Sequence, residues 1–335
     1  MPRLMVNILG KAAILGLVLA TAGSIFSCAT TKTSRPLVPM REYEKLLVGS
    51  LFADYIGNDA CLEACHFHDQ TAQFLAESVH GHQKVEGTEM PLVNCETCHG
   101  PGSEAVRPEF ISRPGYGRCD TTKFIPLKSL PAAARSMLCL KCHSSYSMAN
   151  MQYWPFSDHA LNEVSCSDCH KLHQSSEQKL RGVQISEQCM SCHDSIRAQF
   201  SLATRHPVKE GKMLCTDCHE PHGSQAPRGL VALDQKGLCL NCHGQLVGPF
   251  AWEHADVTDE CSTCHSPHGS VFADMLKVQE PFLCLQCHAG HTDLSTPASP
   301  SASIKGAFYT RCTNCHSQIH GSDTRGPHPG SGLIQ

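Results

Sequence analysis

Pairs of cysteines followed directly by histidine recur along the whole chain. Nine of these motifs have the spacing C-x-x-C-H, and the first, from Cys61 to His66, has the spacing C-x-x-x-C-H. Two thiols at such a spacing can add to the two vinyl groups of one haem, and the adjacent histidine can then bind the iron. A single motif could be a chance match, but ten of them predict ten covalently attached c-type haems.

The ten motifs use twenty of the 22 cysteines. The predicted attachment cysteines are Cys61, Cys65, Cys95, Cys98, Cys139, Cys142, Cys166, Cys169, Cys189, Cys192, Cys215, Cys218, Cys239, Cys242, Cys261, Cys264, Cys284, Cys287, Cys312 and Cys315. The predicted proximal iron ligands are His66, His99, His143, His170, His193, His219, His243, His265, His288 and His316. Only Cys28 and Cys119 remain outside the motifs.

Two other uses of the cysteines are weaker. A disulfide scaffold is common in exported proteins, but it does not explain why histidine follows each cysteine pair. Zinc ribbons combine two C-x-x-C pairs, or one pair and separated histidines, and they do not need histidine directly after the second cysteine. Covalent haem is therefore the interpretation that uses every residue of the motif.

Taking the motifs two at a time shows a two-haem repeat. From His143 to His288 the proximal histidines fall between 22 and 27 residues apart, and the three middle repeats have matching sequences. We expect residues 1–27 to be a signal peptide, 28–57 a lipidated and flexible tether, and 58–335 a cytochrome domain of five repeats. The predicted fold is a multihaem cytochrome c with short helices and loops wrapped around a linear chain of haems, and little or no β-sheet. Segments 69–79, 132–140 and 187–200 have helical character.

Histidines outside the motifs recur at matched places and predict the distal iron ligands. Each middle repeat has one histidine before its second motif and one three residues after it. This pattern and its looser continuation in the end repeats select His80, His159, His173, His206, His222, His254, His268, His291 and His320. In the first repeat Gly102 stands where a further ligand would fall. His68, His82 and His328 are the alternatives for the tenth ligand.

Two imidazoles complete the coordination of an iron and leave it one-electron exchange as its chemistry. We therefore expect an electron-transfer protein and no enzyme activity. The formal net charge of −4 argues against a nucleic-acid partner. Because ten porphyrins must share the interior of 335 residues, we expect the haems to form most of the core.

The N-terminus predicts export. A short apolar stretch at 12–22 follows Arg3 and Lys11 and is too short to span a bilayer as a mature helix. It leads to Ile25-Phe26-Ser27-Cys28, which resembles a bacterial lipobox, so we expect lipidation of Cys28. The alternative is an ordinary signal peptide cut nearby. Alanine at position 29, directly after Cys28, favours localisation of the lipoprotein to the outer membrane. Because lipidation uses the Cys28 thiol, we expect Cys119 to have no disulfide partner.

With the repeat established, the chain resembles the decahaem cytochromes of the MtrA/DmsE family. The resemblance rests on segments 252–270, 283–291 and 312–322 and on His328-Pro329, and it covers about residues 58–335. It implies a haem wire in or beneath an outer-membrane β-barrel porin, with periplasmic and outer-surface cytochromes as further partners. The family's C-terminal pattern favours His328 as the tenth distal ligand. The extra residue in the first motif and the missing histidine after the second motif are departures from the family pattern.

Two other functions remain open at this point. One is a multihaem reductase in which a single iron lacks a distal ligand. The other is a polymerising extracellular filament in which a neighbouring subunit supplies a histidine. For a periplasmic protein anchored to the outer membrane by its lipid, relay of electrons across or at that membrane is the function we expect.

Overall fold

The computed structural model describes residues 40–106, 119–144, 150–174, 179–254, 259–288 and 310–324. The chain divides into two units, Met1–Val48 and Gly49–Gln335. In the first unit the described part contains the helix Met40–Leu46. The second unit contains all ten motifs. Cys28, His291 and His328 lie outside the described residues, as does the predicted signal peptide.

The second unit consists of short helices and turns joined by loops. Its described α-helices are Gly57–Ala64, Thr71–Glu77, Val79–His82, Cys95–His99, Ala132–Leu140, Asp158–Leu161, Cys166–Cys169, Val183–Met190, Asp194–Gln199 and Gln235–Leu240. Its described 3-10 helices are Thr121–Lys123, Leu127–Ser129, Met151–Phe156, Cys215–Asp217, Pro227–Gly229, Gly244–Leu246, Cys261–Thr263, Ala273–Met275, Cys284–Gln286 and Cys312–Asn314. The described residues form isolated β-bridges but no strand, which confirms the predicted fold class.

The attachment motifs limit the length of the helices. Ala132–Leu140 coincides with the predicted segment and runs into the third motif. The predicted helix over 187–200 is instead two helices, Val183–Met190 and Asp194–Gln199, which are separated at the fifth motif. His193 leaves helical geometry there, with φ −92° and ψ 60°. The first helix therefore ends at Met190, within the motif, and the proximal histidine His193 is the N-cap residue of the second helix.

The second unit buries few large apolar side chains. One cluster contains Met190, Phe200 and Val208, with Ile196 and Met213 packed against it. Beside it lies a cavity of about 3220 Å³ that continues from Val79 to His320 along the chain. Its lining includes at least one attachment cysteine of each motif from the second to the tenth. The cavity follows the predicted haem sites, as expected for a protein whose cofactors form the core.

Among the described residues, no helix has both the length and the apolar character needed to cross a bilayer.

Candidate haem sites

The first cysteines of the two motifs in each repeat meet side by side. The five pairs are Cys61 with Cys95, Cys139 with Cys166, Cys189 with Cys215, Cys239 with Cys261, and Cys284 with Cys312. In the second repeat the hydrogen bond between the two thiols raises the pKa of Cys139 and lowers that of Cys166 to about 6. The two motifs of a repeat therefore place their attachment points together.

The second cysteines lie close enough to interact electrostatically across the boundaries between repeats. Burial raises the pKa of Cys98, Cys169, Cys218 and Cys264. In each case the second cysteine of the next motif along the chain raises this pKa further. These neighbours are Cys142, Cys192, Cys242 and Cys287, respectively. Hydrogen-bonded pairs of first cysteines and electrostatically interacting pairs of second cysteines alternate along the chain. Each motif is thereby adjacent to the next, from the first motif to the tenth.

Eight proximal histidines face a second imidazole. The pairs are His143 with His80, His99 with His173, His193 with His159, His170 with His222, His243 with His206, His219 with His268, His288 with His254, and His265 with His320. Their ring centroids lie between 5.8 and 6.3 Å apart. A metal bound at about 2 Å to a nitrogen of each ring separates two centroids by about 6 Å. These pairs therefore have the spacing of the two axial ligands of one haem iron.

The pairs follow one rule, which the sequence pattern did not reveal. A histidine that precedes the second motif of its repeat faces the proximal histidine of the first motif in the next repeat. A histidine that follows the second motif of its repeat faces the proximal histidine of the second motif in the previous repeat. The third repeat shows both directions, since His206 faces His243 and His222 faces His170. No described pair joins two histidines of the same repeat, so the two axial ligands of an iron come from different repeats.

The same rule accounts for Gly102. A histidine at that place would face a motif before the first, and residues 1–60 contain no such motif. The Gly102 amide instead donates to Glu96 Oε1 at 2.9 Å. Glu96 is 2% exposed and also accepts from the amides of Ile56 and Gly57, at 2.9 and 2.8 Å. This buried carboxylate ties the second motif to the start of the helix that carries the first.

The rule supplies no distal ligand to the outermost motifs, those of His66 and His316. Within the described ranges no imidazole faces His66, whose Nδ1 instead bonds Asp69 Oδ2 at 2.7 Å. His68 and His82, two alternatives for the tenth ligand, have exposed side chains. The predicted ligands His291 and His328 lie outside the described residues. The ligands of the two end haems therefore stay predictions.

Backbone carbonyls orient several of the imidazoles. His219 Nδ1 lies 3.0 Å from the carbonyl oxygen of Arg228, and His265 Nδ1 lies 2.7 Å from that of Asp274. Arg228 and Asp274 have positive φ angles of 61° and 56°, which side-chain-bearing residues rarely adopt. An Nδ1–H that donates to a carbonyl leaves Nε2 free to bind iron. The strained residues thus fix the nitrogen that each proximal histidine presents.

The short segment from His219 to His222 contributes to three predicted haem sites. His219 is the predicted proximal ligand of the sixth motif, and His222 faces His170 of the fourth. Between them, the carbonyl oxygen of Pro221 lies 2.9 Å from Nδ1 of His159, the distal histidine of the fifth motif. The segment from His265 to His268 repeats this arrangement, with Pro267 and His206 at 2.6 Å. Recurrence of H-x-P-H in the sequence was the signal for this role.

Glycine follows four of the predicted distal histidines, and at three of these positions the backbone adopts a positive φ that favours glycine. The residues are Gly223, Gly269 and Gly321, with φ of 102°, 154° and 134°. A Cβ atom on Gly269 would lie 2.2 Å from the carbonyl oxygen of Gln199. A larger residue there would push His268 away from His219.

Burial keeps several of the paired histidines neutral. It lowers the pKa of His268, and the adjacent rings of His219 and His206 lower it further. The same causes, burial first and then the facing imidazole, lower the pKa of His80, His99, His170 and His320. A lowered histidine pKa favours the uncharged ring, which is the form that binds a metal.

The expectation that Cys119 has no disulfide partner is wrong. The structure joins its sulfur to that of Cys65, the second cysteine of the first motif. The prediction failed because it counted every motif cysteine as already bonded to haem. A sulfur in a disulfide cannot also form a thioether, so Cys65 has a different partner here from the one its motif predicts.

Two family models and one characterised relative match the chain. The family model of the doubled CXXCH motif matches residues 206–248 and 254–293. The model of the cytochrome c-type protein NrfB-like family matches residues 95–186. Over 289 residues the chain is 35% identical to the multiheme cytochrome MtrA of Shewanella baltica (strain OS185), an alignment covering 83% of this chain and 81% of that protein. This chain therefore belongs to the MtrA family of multihaem c-type cytochromes, and it is an electron-transfer protein.

Proposed function

We propose that the chain binds ten c-type haems and relays electrons along them, across or at the outer membrane. The observation that carries the proposal is the unbroken alternation of cysteine contacts, in which each motif adjoins the next. The eight facing imidazole pairs support it, since they interlock all five repeats. Haems held in this order place every one-electron carrier beside its neighbour.

The chain's residues set what the haems can do. Each bound haem supplies one-electron exchange, and its protein ligands decide whether any other chemistry is open to it. Two imidazoles leave no coordination position for a substrate. They also favour a lower potential than a histidine–methionine pair. The carbonyl and carboxylate partners at Nδ1 hold the rings in place and keep Nε2 directed at the iron.

The proposed location is the periplasm, with the lipid on Cys28 anchoring the protein to the outer membrane. The lipobox-like sequence at 25–28 and the family resemblance support this location. The proposed partners are an outer-membrane β-barrel porin and cytochromes of the periplasm and outer surface. We propose no nucleic-acid partner, because the chain's net charge of −4 would repel the phosphate backbone.

Transfer across vesicle membranes tests the proposal. The protein is reconstituted with its barrel in vesicles that enclose a reduced dye, and an electron acceptor is added outside. We expect oxidation of the dye only when both proteins are present. No transmembrane transfer, together with turnover of nitrite by the isolated protein, would favour the reductase alternative. Assembly of the purified protein into long polymers would favour the filament alternative.

A further inference from the structure

We propose that Cys65 and Cys119 form a disulfide, so that the first haem is attached through one thioether only, from Cys61. The structure joins the two sulfurs and places the Cα atoms 6.0 Å apart. That separation lies within the range of about 4.4 to 6.8 Å that disulfides require. The inference rests on the proposed haem at the first motif.

Cys61 keeps the place of a normal attachment cysteine. Its thiol forms a hydrogen bond with that of Cys95. In each of the other four repeats, the first cysteines of the two motifs form the same hydrogen bond. Cys65, by contrast, comes one residue later than in the other motifs, at the C-terminal cap of the helix Gly57–Ala64. The second cysteines of the second to ninth motifs face one another across repeat boundaries. Residues 1–60 contain no motif whose second cysteine could face Cys65, and its sulfur lies against that of Cys119 instead.

The segment that carries Cys119 is held firmly beside the second motif. The amide of Asp120 donates to the carbonyl oxygen of Ala105 at 3.1 Å, and that of Ile125 donates to His99 at 2.9 Å. Ala105 is fully buried, and Ile125 is 5% exposed. These two backbone hydrogen bonds hold the segment that follows Cys119 beside the second motif, within reach of Cys65.

Both covalent steps balance. The Cys61 thiol adds across one haem vinyl, forming a carbon–sulfur bond and placing its proton on the other vinyl carbon, with no net electron transfer. Cys65 and Cys119 together lose two protons and two electrons as their S–S bond forms. The oxidant is a disulfide-bearing protein of an oxidising compartment, and its own disulfide is reduced to two thiols by exchange. The second vinyl of the first haem stays unreacted.

Peptide mapping and haem spectra of the purified holoprotein test this arrangement. Without reductant, we expect the peptide that contains Cys119 to be linked to the haem peptide of the first motif, and reductant should release it. Alkylation of Cys119 should need the same reduction. The pyridine haemochrome spectrum should show one haem in ten with a conjugated vinyl group, since that vinyl shifts the absorption band to longer wavelength.

Serine variants separate the roles of the three cysteines. Cys65→Ser should retain ten haems and an unchanged haemochrome spectrum, while Cys119 becomes reactive without reductant. Cys61→Ser should lose one haem on acid extraction. Cys315→Ser, at the second cysteine of the last motif, is the matched control and should add one vinyl-bearing haem to the spectrum.

Two results would overturn the inference. They are a wild-type Cys119 that alkylates without reductant, and a Cys65→Ser spectrum that shifts as the Cys315→Ser spectrum does. A wild-type protein with nine haems would refute the ten-haem proposal separately. In that case the linked peptide still decides whether the disulfide exists.

Discussion

Replacing His222 by methionine tests whether the haems conduct in series. His222 faces His170 at 6.0 Å between ring centroids, and its Nδ1 lies 2.9 Å from Glu220 Oε1. The carboxylate makes the imidazole a stronger donor to iron, which lowers the potential of that haem. Methionine replaces the imidazole, and it cannot form the hydrogen bond with Glu220. Both changes raise the potential of the haem at the fourth motif.

The size of the effect follows from the range of haem potentials. Axial ligands set these potentials over about 0.8 V, and we take about 120 mV for this exchange. At 59 mV for each factor of ten, transfer from the altered haem to its neighbour becomes about 100-fold less favourable. In a linear relay every electron passes this haem, so the whole transfer should slow, with that ~100-fold change in the equilibrium constant as the upper limit.

Redox titration and vesicle transfer measure the two parts of this prediction. One carrier in ten should titrate at a higher potential, and transmembrane transfer should slow. Gln225→Met is a matched control, because Gln225 lies in the same loop but hydrogen-bonds Tyr153 and faces no histidine in the described structure. A shifted potential with an unchanged transfer rate would refute conduction in series. An unshifted potential would refute the pairing of His222 with His170.

Three further changes have defined outcomes. Gly269→Ala should force His268 away from His219 and produce a high-spin ferric signal from about one iron in ten, whereas Gly244→Ala, where a Cβ meets no atom within 4 Å, should not. Glu96→Ala leaves the amides of Ile56, Gly57 and Gly102 without their acceptor, which costs about 1–3 kcal/mol for each amide. Hydrogen exchange at these three amides should be faster in Glu96→Ala than in the wild type. In Glu96→Gln, which keeps an acceptor oxygen, exchange at the same amides should be slower than in Glu96→Ala. Cys28→Ser should move the haem-loaded protein from the membrane to the soluble periplasmic fraction, and unchanged fractionation would mean that another contact holds it there.

The sequence predicted the fold class and most histidine positions because both depend on local spacing. Motif spacing limits helix length, and the helix Ala132–Leu140 could be read directly from its residues. Eight of the predicted distal histidines do face a proximal histidine in the structure. Their recurrence at matched places was enough to find them, without knowledge of which iron each one serves.

The pairing itself could not be predicted, because it depends on how the repeats pack. His222 and His170 lie in different repeats, and nothing near either residue identifies the other. The error at Cys119 has a related cause. Counting cysteines assumes that every motif is used in full, whereas the disulfide depends on where the folded chain places Cys119.

The exchange of histidines between repeats limits how such a protein can change length. A middle repeat gives one imidazole in each direction and receives one from each side, so its removal allows the two flanking repeats to serve each other. Loss of a single motif would instead leave both an iron and a histidine without partners. Chains of this design should therefore lengthen or shorten in steps of two haems. Wherever such a chain stops, its terminal irons must take their final ligand from outside the repeat pattern.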